Sequence, residues 1–164
     1  MKAKLRKLEK RDANYMLEWM QDDDLIKYLK KDFKNMSIDD CERFIQNAKD
    51  MKAEIHRAIV DENNIYMGTV SLKHIKNGCA EFAIVVRKEA MGTGFSQYAI
   101  KQIIQEGFEK EDIKKIYWCV DPKNERARRF YKKCGYHEQA KIYDDAILKC
   151  VNEYYGLLWM QRSS

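Results

Sequence analysis

One segment of the chain, residues 79–108, constrains the fold more than any other. Cys79 to Val86 is a run rich in β-branched residues, which is typical of a strand. A short turn containing Gly92-Thr93-Gly94 follows, and from Phe95 onward the apolar residues recur with the 3.6-residue period of a helix. A strand, a glycine turn and an amphipathic helix in this order predict a strand–helix unit within a mixed α/β domain.

Strands and helices alternate along the rest of the chain as well. Asp12 and Ser37 are expected to cap helices, and Ser37 to Asp40 has the form of a capping box. Ala127 to Cys134 predicts a helix that ends at Gly135. Strands are predicted at 4–8, 57–60, 65–72 and 113–120, with two more within 136–151 and 154–161.

The length of 164 residues predicts one domain spanning 1–164, because no linker or repeat interrupts the pattern. Apolar runs such as Ala83 to Val86 are far shorter than the roughly 20 residues that cross a membrane. No apolar stretch follows the basic N-terminal residues, so we expect neither a secretory signal nor a membrane partner. These features favour a cytoplasmic protein.

Cysteine, histidine and charge exclude several classes of function. The five cysteines are widely spaced and form no C-x-x-C pair, and the three histidines do not cluster, so we expect reduced thiols and no metal. A net charge of +5 is mild, and no aromatic ladder accompanies the lysines, which argues against nucleic-acid binding. What remains is a local site for a small polyanion.

The glycine turn is the candidate for that site. Unpaired N–H groups and the helix dipole favour an anion at the start of a helix, and Arg87 and Lys88 precede the turn. A plain glycine turn at a helix entry is the alternative, since a G-x-G pair occurs by chance in roughly a third of chains of this composition. No G-K-[ST] follows, and Gln97 fills the third position of a dinucleotide fingerprint.

The order of these elements, from Leu5 to Met160, resembles the GNAT superfamily of acetyl-CoA-dependent N-acetyltransferases. CAEFAIVVRKEAMGTGFSQYAIKQII resembles the family's acetyl-CoA signature, and NERARRFYKKCGY resembles its Asn-containing turn and helix. LRKLEKRDANYMLEWMQDDDLIKYL and IYMGTVSLKHI look like the ribosomal-protein-acetylating branch. The resemblance implies an α/β (α+β) domain with a mixed, splayed sheet flanked by helices. It also implies direct acetyl transfer from acetyl-CoA to an amine in a ternary complex.

The resemblance implies which residues bind acetyl-CoA. The backbone of Ile84, Val85 and Val86 would pair with the pantetheine arm, Asn124 would contact it, and Arg128 would meet the 3′-phosphate, unless Arg128 is simply solvated. The pyrophosphate loop would comprise Arg87, Met91, Gly92, Thr93, Gly94, Phe95 and Ser96. Glu89, Ala90 and Met91 depart from the family's pattern, and a glutamate near phosphates is unfavourable unless it points outward.

Amine acetylation needs a proton acceptor, donors for the oxyanion and a proton for the departing thiolate. The resemblance implies Glu81 as the base and Tyr131 as the general acid, with a strand N–H as oxyanion donor. Glu81 could instead form a cross-strand ion pair, and Tyr131 could pack in the core. A non-catalytic CoA- or nucleotide-binding regulatory domain is the alternative function, because it needs neither residue.

The acceptor amine stays open at this point. The candidate acceptor residues are Asp22, Asp23, Asp24, Tyr28, Phe33, Tyr143 and Tyr154. An acidic cluster suits a polyamine or a basic protein N-terminus, but it also suits a solvated loop. Amino-sugar nucleotides, aminoglycosides and a homodimeric state are left open too.

Overall fold

A computed structural model describes residues 2–29, 31–110, 112–151 and 157–164. Within these ranges, six strands and six α-helices follow one another, as expected for a mixed domain. The strands are β1 (Lys4–Arg6), β2 (Ile55–Val60), β3 (Tyr66–Lys76), β4 (Cys79–Val86), β5 (Lys115–Val120) and β6 (Leu158–Ser163). The helices are α1 (Ala13–Met20), α2 (Asp23–Ile26), α3 (Ile38–Ala48), α4 (Phe95–Lys110), α5 (Glu125–Lys133) and α6 (Asp145–Leu148). None of the helices in the described ranges is long and apolar enough to cross a membrane.

The six strands form one mixed sheet in the order β1 to β6. Neighbouring strands are antiparallel except for β4 and β5, which run parallel. Among the described residues these two strands are paired only over Cys79–Glu81 and Lys115–Tyr117. Beyond that point β4 stays paired with β3, and its other edge separates from β5. The sheet is therefore open between β4 and β5, as the expected splayed architecture requires.

Helices cover both faces of the sheet. On one face α4 packs against β3 and β5, and Leu72, Ile103 and Ile116 are fully buried between them. On the other face α1 and α3 pack on β2 and β3 around Met16 and Ile45. Burial of these aliphatic side chains, worth about 1.5–3 kcal/mol each, holds the splayed strands between two rigid layers.

The local signals in the sequence explain most helix boundaries. Ser37 and Asp40 exchange both bonds of the predicted capping box at the start of α3. Gly135 follows α5 with φ of +92°, and the Tyr136 N–H donates to the Tyr131 carbonyl, which ends that helix. Asp12 precedes α1, but its carboxylate accepts from Arg6 and from the Glu9 N–H instead of capping the helix.

The strand predicted within residues 136–151 is wrong. A single bridge pairs Gln139 with Trp159, and residues 145–148 form α6 instead. Asp144 caps this turn by accepting from two backbone N–H groups, and Ile147 is buried beneath it. The local cap therefore prevails over the alternation of apolar residues. The start predicted for the last strand, at Tyr154, lies outside the described residues.

Candidate functional site

A cleft of about 1120 Å³ opens where β4 and β5 separate. The start of α4 and the length of α5 line one half of it, and we call this the cofactor half. The α1–α3 layer and the polar ends of β2, β3 and β4 line the other half, which we call the acceptor half. The two halves meet at Glu81 and Phe82, where the pairing of β4 with β5 stops.

The free edge of β4 forms the inner wall of the cofactor half. This edge comprises Ile84, Val85 and Val86, which line the cleft. On the opposite edge of β4 the same residues pair with Val70, Thr69 and Gly68 of β3. Because one edge of a strand is paired and the other borders a cleft, its outward backbone groups can pair with an extended ligand. This arrangement fits the predicted binding of a pantetheine arm.

The glycine turn closes the end of the cofactor half. Gly92 and Gly94 adopt φ of +74° and +92°, a region that side chains other than glycine rarely adopt. A Cβ atom at Gly92 would meet nothing within 4 Å, so the backbone conformation, not crowding, selects glycine there. The Thr93 hydroxyl donates to the Ala90 carbonyl and fixes the turn from inside.

Helix α4 begins directly after this turn and presents its first turn to the cleft. Met91 and Ser96 line the cleft, as do both glycines, whereas Phe95 is buried in the core and anchors the helix. The first N–H groups of a helix have no partners within it and carry the positive end of its dipole. The turn and the helix start together form a cradle that fits a pyrophosphate.

Arg87 lies outside the cleft lining, although it was predicted to bind the cofactor. Its guanidinium donates to Glu18 at 3.1 Å, to Glu89 at 3.0 Å and to the Tyr66 carbonyl at 3.1 Å, and it lies over the Tyr15 ring. These contacts tie α1 to β3 and to the turn after β4. They also pair the unusual Glu89 carboxylate with a cation, and Glu89 does not line the cleft.

Basic residues reach the cofactor half mainly from α5. Arg126 and Arg129 line the cleft, and Arg126 Nη1 lies 3.0 Å from Met91 Sδ, beside the glycine turn. Arg128, predicted to meet the 3′-phosphate, is outside the lining. Its guanidinium forms two bonds with Glu138, at 2.9 and 3.0 Å, and a third with the Pro122 carbonyl. Arg126 and Arg129 are thus better placed for a phosphate.

Tyr131 lies on α5 at the junction of the two halves. The side chain is 8% exposed, and its ring contacts Phe82, Trp118 and Phe130. Burial raises the pKa of the Tyr131 hydroxyl well above its usual value, so it keeps its proton at neutral pH. Asn124, which also lines the cleft, caps the same helix by accepting from the Ala127 N–H at 3.2 Å.

Glu81 lies at the opposite side of the junction and is the last residue of β4 that pairs with β5. It is buried, lines the cleft and contacts His74 Nδ1 through Oε1 at 3.0 Å. The Lys73 position lies opposite Glu81 on β3. Glu81 thus has the exposed His74 ring as a hydrogen-bond partner, while its carboxylate also lines the cleft.

The acceptor half contains some of the predicted residues and excludes others. Tyr28, Phe33 and Asp24 line it. Asp22 caps α2 by accepting from the Asp24 N–H, and Asp23 binds Lys34. Tyr143 is 70% exposed and lies outside the cleft lining. Tyr154 is not among the described residues.

A polar cluster around the buried His56 in the acceptor half was not predicted from the sequence. His56 Nδ1 lies 2.6 Å from Ser71 Oγ, and His56 Nε2 lies 3.1 Å from Glu54 Oε1. All three residues line the cleft, and the Phe44 ring of α3 covers the imidazole edge-on. Only the alternation along β2 and β3, which puts His56 and Ser71 on the same face as Ala58, signals this cluster.

The sequence is similar to those of known acetyltransferases. Residues 2–137 match the family model of the acetyltransferase (GNAT) domain. Spermidine N(1)-acetyltransferase of Escherichia coli K12 is 25% identical over 160 residues, covering 91% of this chain and 85% of that protein.

In the part of this chain that the structure describes, no group of three His, Cys, Asp or Glu side chains is arranged to hold a metal ion.

Two solved structures of spermidine N-acetyltransferase from Vibrio cholerae share the fold. One, in complex with CoA and spermine, has a TM-score of 0.79 and 23% identity, covering 98% of this chain and 95% of that chain. The other, a dodecamer in an intermediate state, has a TM-score of 0.72 and 22% identity, covering 98% and 93%.

Proposed function

The chain belongs to the acetyltransferase (GNAT) family and transfers an acetyl group from acetyl-CoA to an amine, and we propose that this amine belongs to a polyamine. The observation that carries the proposal is the set of carboxylates in the acceptor half of the cleft. They come from four separate parts of the chain: Asp24, Asp40, Glu54 and Glu81. Anionic groups distributed along a cleft suit an acceptor with several ammonium groups, because each ammonium can meet its own carboxylate.

The aromatic residues of this half support the same proposal. Tyr28 and Phe33 line the cleft, and the Phe33 ring packs edge-on against Trp19 at a centroid distance of 5.0 Å. Aromatic faces and edges accommodate methylene chains and attract ammonium groups. A flexible polyamine offers both methylene chains and ammonium groups.

The chemistry is assigned to residues at the junction of the two halves. Glu81 is the proposed base, because its carboxylate borders both the acceptor half and the end of the β4–β5 pairing. Tyr131 is the proposed acid, since its hydroxyl keeps its proton at neutral pH and its side chain lines the cleft beside the free edge of β4. The free edge of β4 would hold the pantetheine arm of acetyl-CoA and supply an N–H for the oxyanion.

The phosphates of acetyl-CoA are assigned to the glycine turn and to α5. Gly92, Gly94 and the first turn of α4 would bind the pyrophosphate, with Arg126 and Arg129 as cationic partners. Glu89 does not oppose this binding because Arg87 holds its carboxylate. The similarity to a spermidine N-acetyltransferase over most of the chain favours a catalytic role over the non-catalytic alternative.

The experiment is a free-thiol release assay with acetyl-CoA and a panel of amines. The panel contains spermidine, spermine, an aminoglycoside, a UDP-amino-sugar and a basic N-terminal peptide. We expect spermidine or spermine to give the highest kcat/KM. The peptide tests the resemblance to the ribosomal-protein-acetylating branch. A preference for the peptide or the amino sugar would overturn the polyamine proposal without affecting the assignment to the family.

A further inference from the structure

The cluster of Glu54, His56 and Ser71 forms a continuous path for a proton. The imidazole stands between a hydroxyl at 2.6 Å and a carboxylate at 3.1 Å, so each ring nitrogen has one partner. A carboxylate accepts only, which assigns the ring proton to Nε2 and leaves Nδ1 as acceptor for the Ser71 hydroxyl. A serine whose proton is directed at a neutral imidazole can take another proton from a group in the cleft.

The position of Ser71 puts this path next to the reacting centre. Ser71 lies directly opposite Ala83 on β4, and His56 lies directly opposite Ser71 on β2. Directly opposed residues of antiparallel strands are about 4.5–5.5 Å apart. Ala83 lies two residues beyond Glu81, where β4 has separated from β5. Ser71 and Ala83 therefore line the acceptor side of the cleft on neighbouring strands.

We infer that Ser71, His56 and Glu54 form a second proton acceptor for the substrate amine, in addition to Glu81. The substrate ammonium gives a proton to Ser71 Oγ while the Ser71 hydroxyl proton passes to His56 Nδ1. The nitrogen keeps the electron pair of the broken N–H bond and attacks the acetyl carbonyl with it. The imidazolium left behind is paired with Glu54. The Glu54 side chain is partly exposed, so the proton can pass from the imidazolium to solvent there. The inference rests on the proposed function, because the cleft must bind an amine.

Burial and the neighbouring cations favour the neutral form of His56. Burial lowers the pKa of His56 and outweighs Glu54, which raises it; Lys73 and Arg57 lower it further. From α3 the ring is covered by Phe44, and Asp40 and Cys41 of that helix line the same part of the cleft. The imidazole is therefore neutral near pH 7, which is the form that accepts a proton.

Steady-state kinetics of His56→Gln and Ser71→Ala across pH test the inference. The assay uses the full chain, acetyl-CoA and the best amine of the panel. At pH 7 we expect kcat/KM for the amine to fall about tenfold or more, with CoA affinity unchanged. The loss should shrink as pH approaches the pKa of the amine, near 10.4 for a lysine-like group, because free amine then needs no proton acceptor.

Three further variants sharpen this test. His137→Gln makes the same change at an exposed histidine outside the cleft, so its pH profile should match that of the wild type. In an enzyme that already carries Glu81→Gln, His56→Gln should lower the remaining activity again, because the two acceptors work in parallel. Serine 71 variants that keep a hydroxyl, such as Ser71→Thr, should retain more activity than Ser71→Ala.

Two results would overturn the inference. One is an unchanged pH profile in both His56→Gln and Ser71→Ala. The other is a loss of equal size at every pH, which indicates that the cluster only supports the fold. A wild-type protein that binds CoA but acetylates none of the polyamines would instead refute the proposed function. The cluster would then be tested on whichever amine of the panel reacts.

Discussion

His74 Nδ1 lies 3.0 Å from Glu81 Oε1, and this contact joins a buried carboxylate to a mostly exposed ring. His74 reaches Glu81 because its backbone adopts φ of +52° at the irregular register between Lys73 and Lys76. The ring gives the Glu81 carboxylate a connection to solvent at the end of β4. The Glu81 carboxylate thus contacts a solvent-exposed ring and also lines the cleft.

Replacing Glu81 by Gln should lower kcat for amine acetylation by about 10²-fold, the low end of what a positioned proton acceptor contributes. The loss stays at the low end because the Ser71–His56–Glu54 cluster remains. Calorimetric titration should give an unchanged affinity for CoA. Glu62→Gln, the same change in the exposed β2–β3 turn, serves as control. Wild-type kcat in Glu81→Gln would reduce Glu81 to an ion-pair partner of His74.

Replacing Tyr131 by Phe should lower kcat by about 10²-fold and leave CoA affinity nearly intact. The ring contacts with Phe82 and Trp118 survive this change, so the hydroxyl alone is tested. Tyr136→Phe is the matched control, because Tyr136 packs on the same Trp118 ring but does not line this cleft. Equal losses of kcat and CoA affinity would show that Tyr131 is structural.

Replacing Gly92 by Ala should weaken CoA binding, measured by calorimetry, because a Cβ disfavours the φ of +74° by about 1–2 kcal/mol. Gly135→Ala provides the comparison. It imposes the same kind of strain at φ of +92°, again with open space around the added atom, but after α5 and outside the cleft lining. Both variants should lose thermal stability, and only Gly92→Ala should lose CoA affinity. Equal affinities would exclude the turn as the phosphate cradle.

Replacing Arg126 by Ala should reduce CoA affinity and the dependence of that affinity on salt, because a cation beside the phosphates is lost. Arg128→Ala removes the same charge two residues away, where Glu138 and the Pro122 carbonyl already hold the guanidinium. We expect it to leave CoA affinity close to that of the wild type. A larger effect from Arg128 than from Arg126 would reassign the 3′-phosphate site.

Sequence patterns predict the fold well where local and tertiary signals agree. Cys79 to Val86 is the strand predicted, Phe95 starts the helix predicted, and Ser37 makes the predicted capping box. Near the C-terminus the two signals disagree. Asp144 starts a helical turn within residues that alternate like a strand.

The residues of the candidate site are only partly predictable from the sequence. The roles of Gly92 and Gly94 can be predicted from the sequence, because glycine adopts positive φ far more readily than other residues do. The roles of the basic residues of α5 cannot be predicted in this way, because they are close together in the sequence. Only the packing of the helix shows that Arg126 lines the cleft while Arg128 pairs with Glu138. His56 and Ser71 are 15 residues apart, and only the β2–β3 register brings them together.

Product analysis after incubation with acetyl-CoA and spermidine tests the central claim most directly. Mass spectrometry of the reaction should show spermidine carrying one added acetyl group, formed in equal amounts with free CoA. The same incubation with Glu81→Gln should give far less of both. Free CoA without acetylated spermidine, or no turnover of either substrate by a protein that binds CoA, would contradict the account.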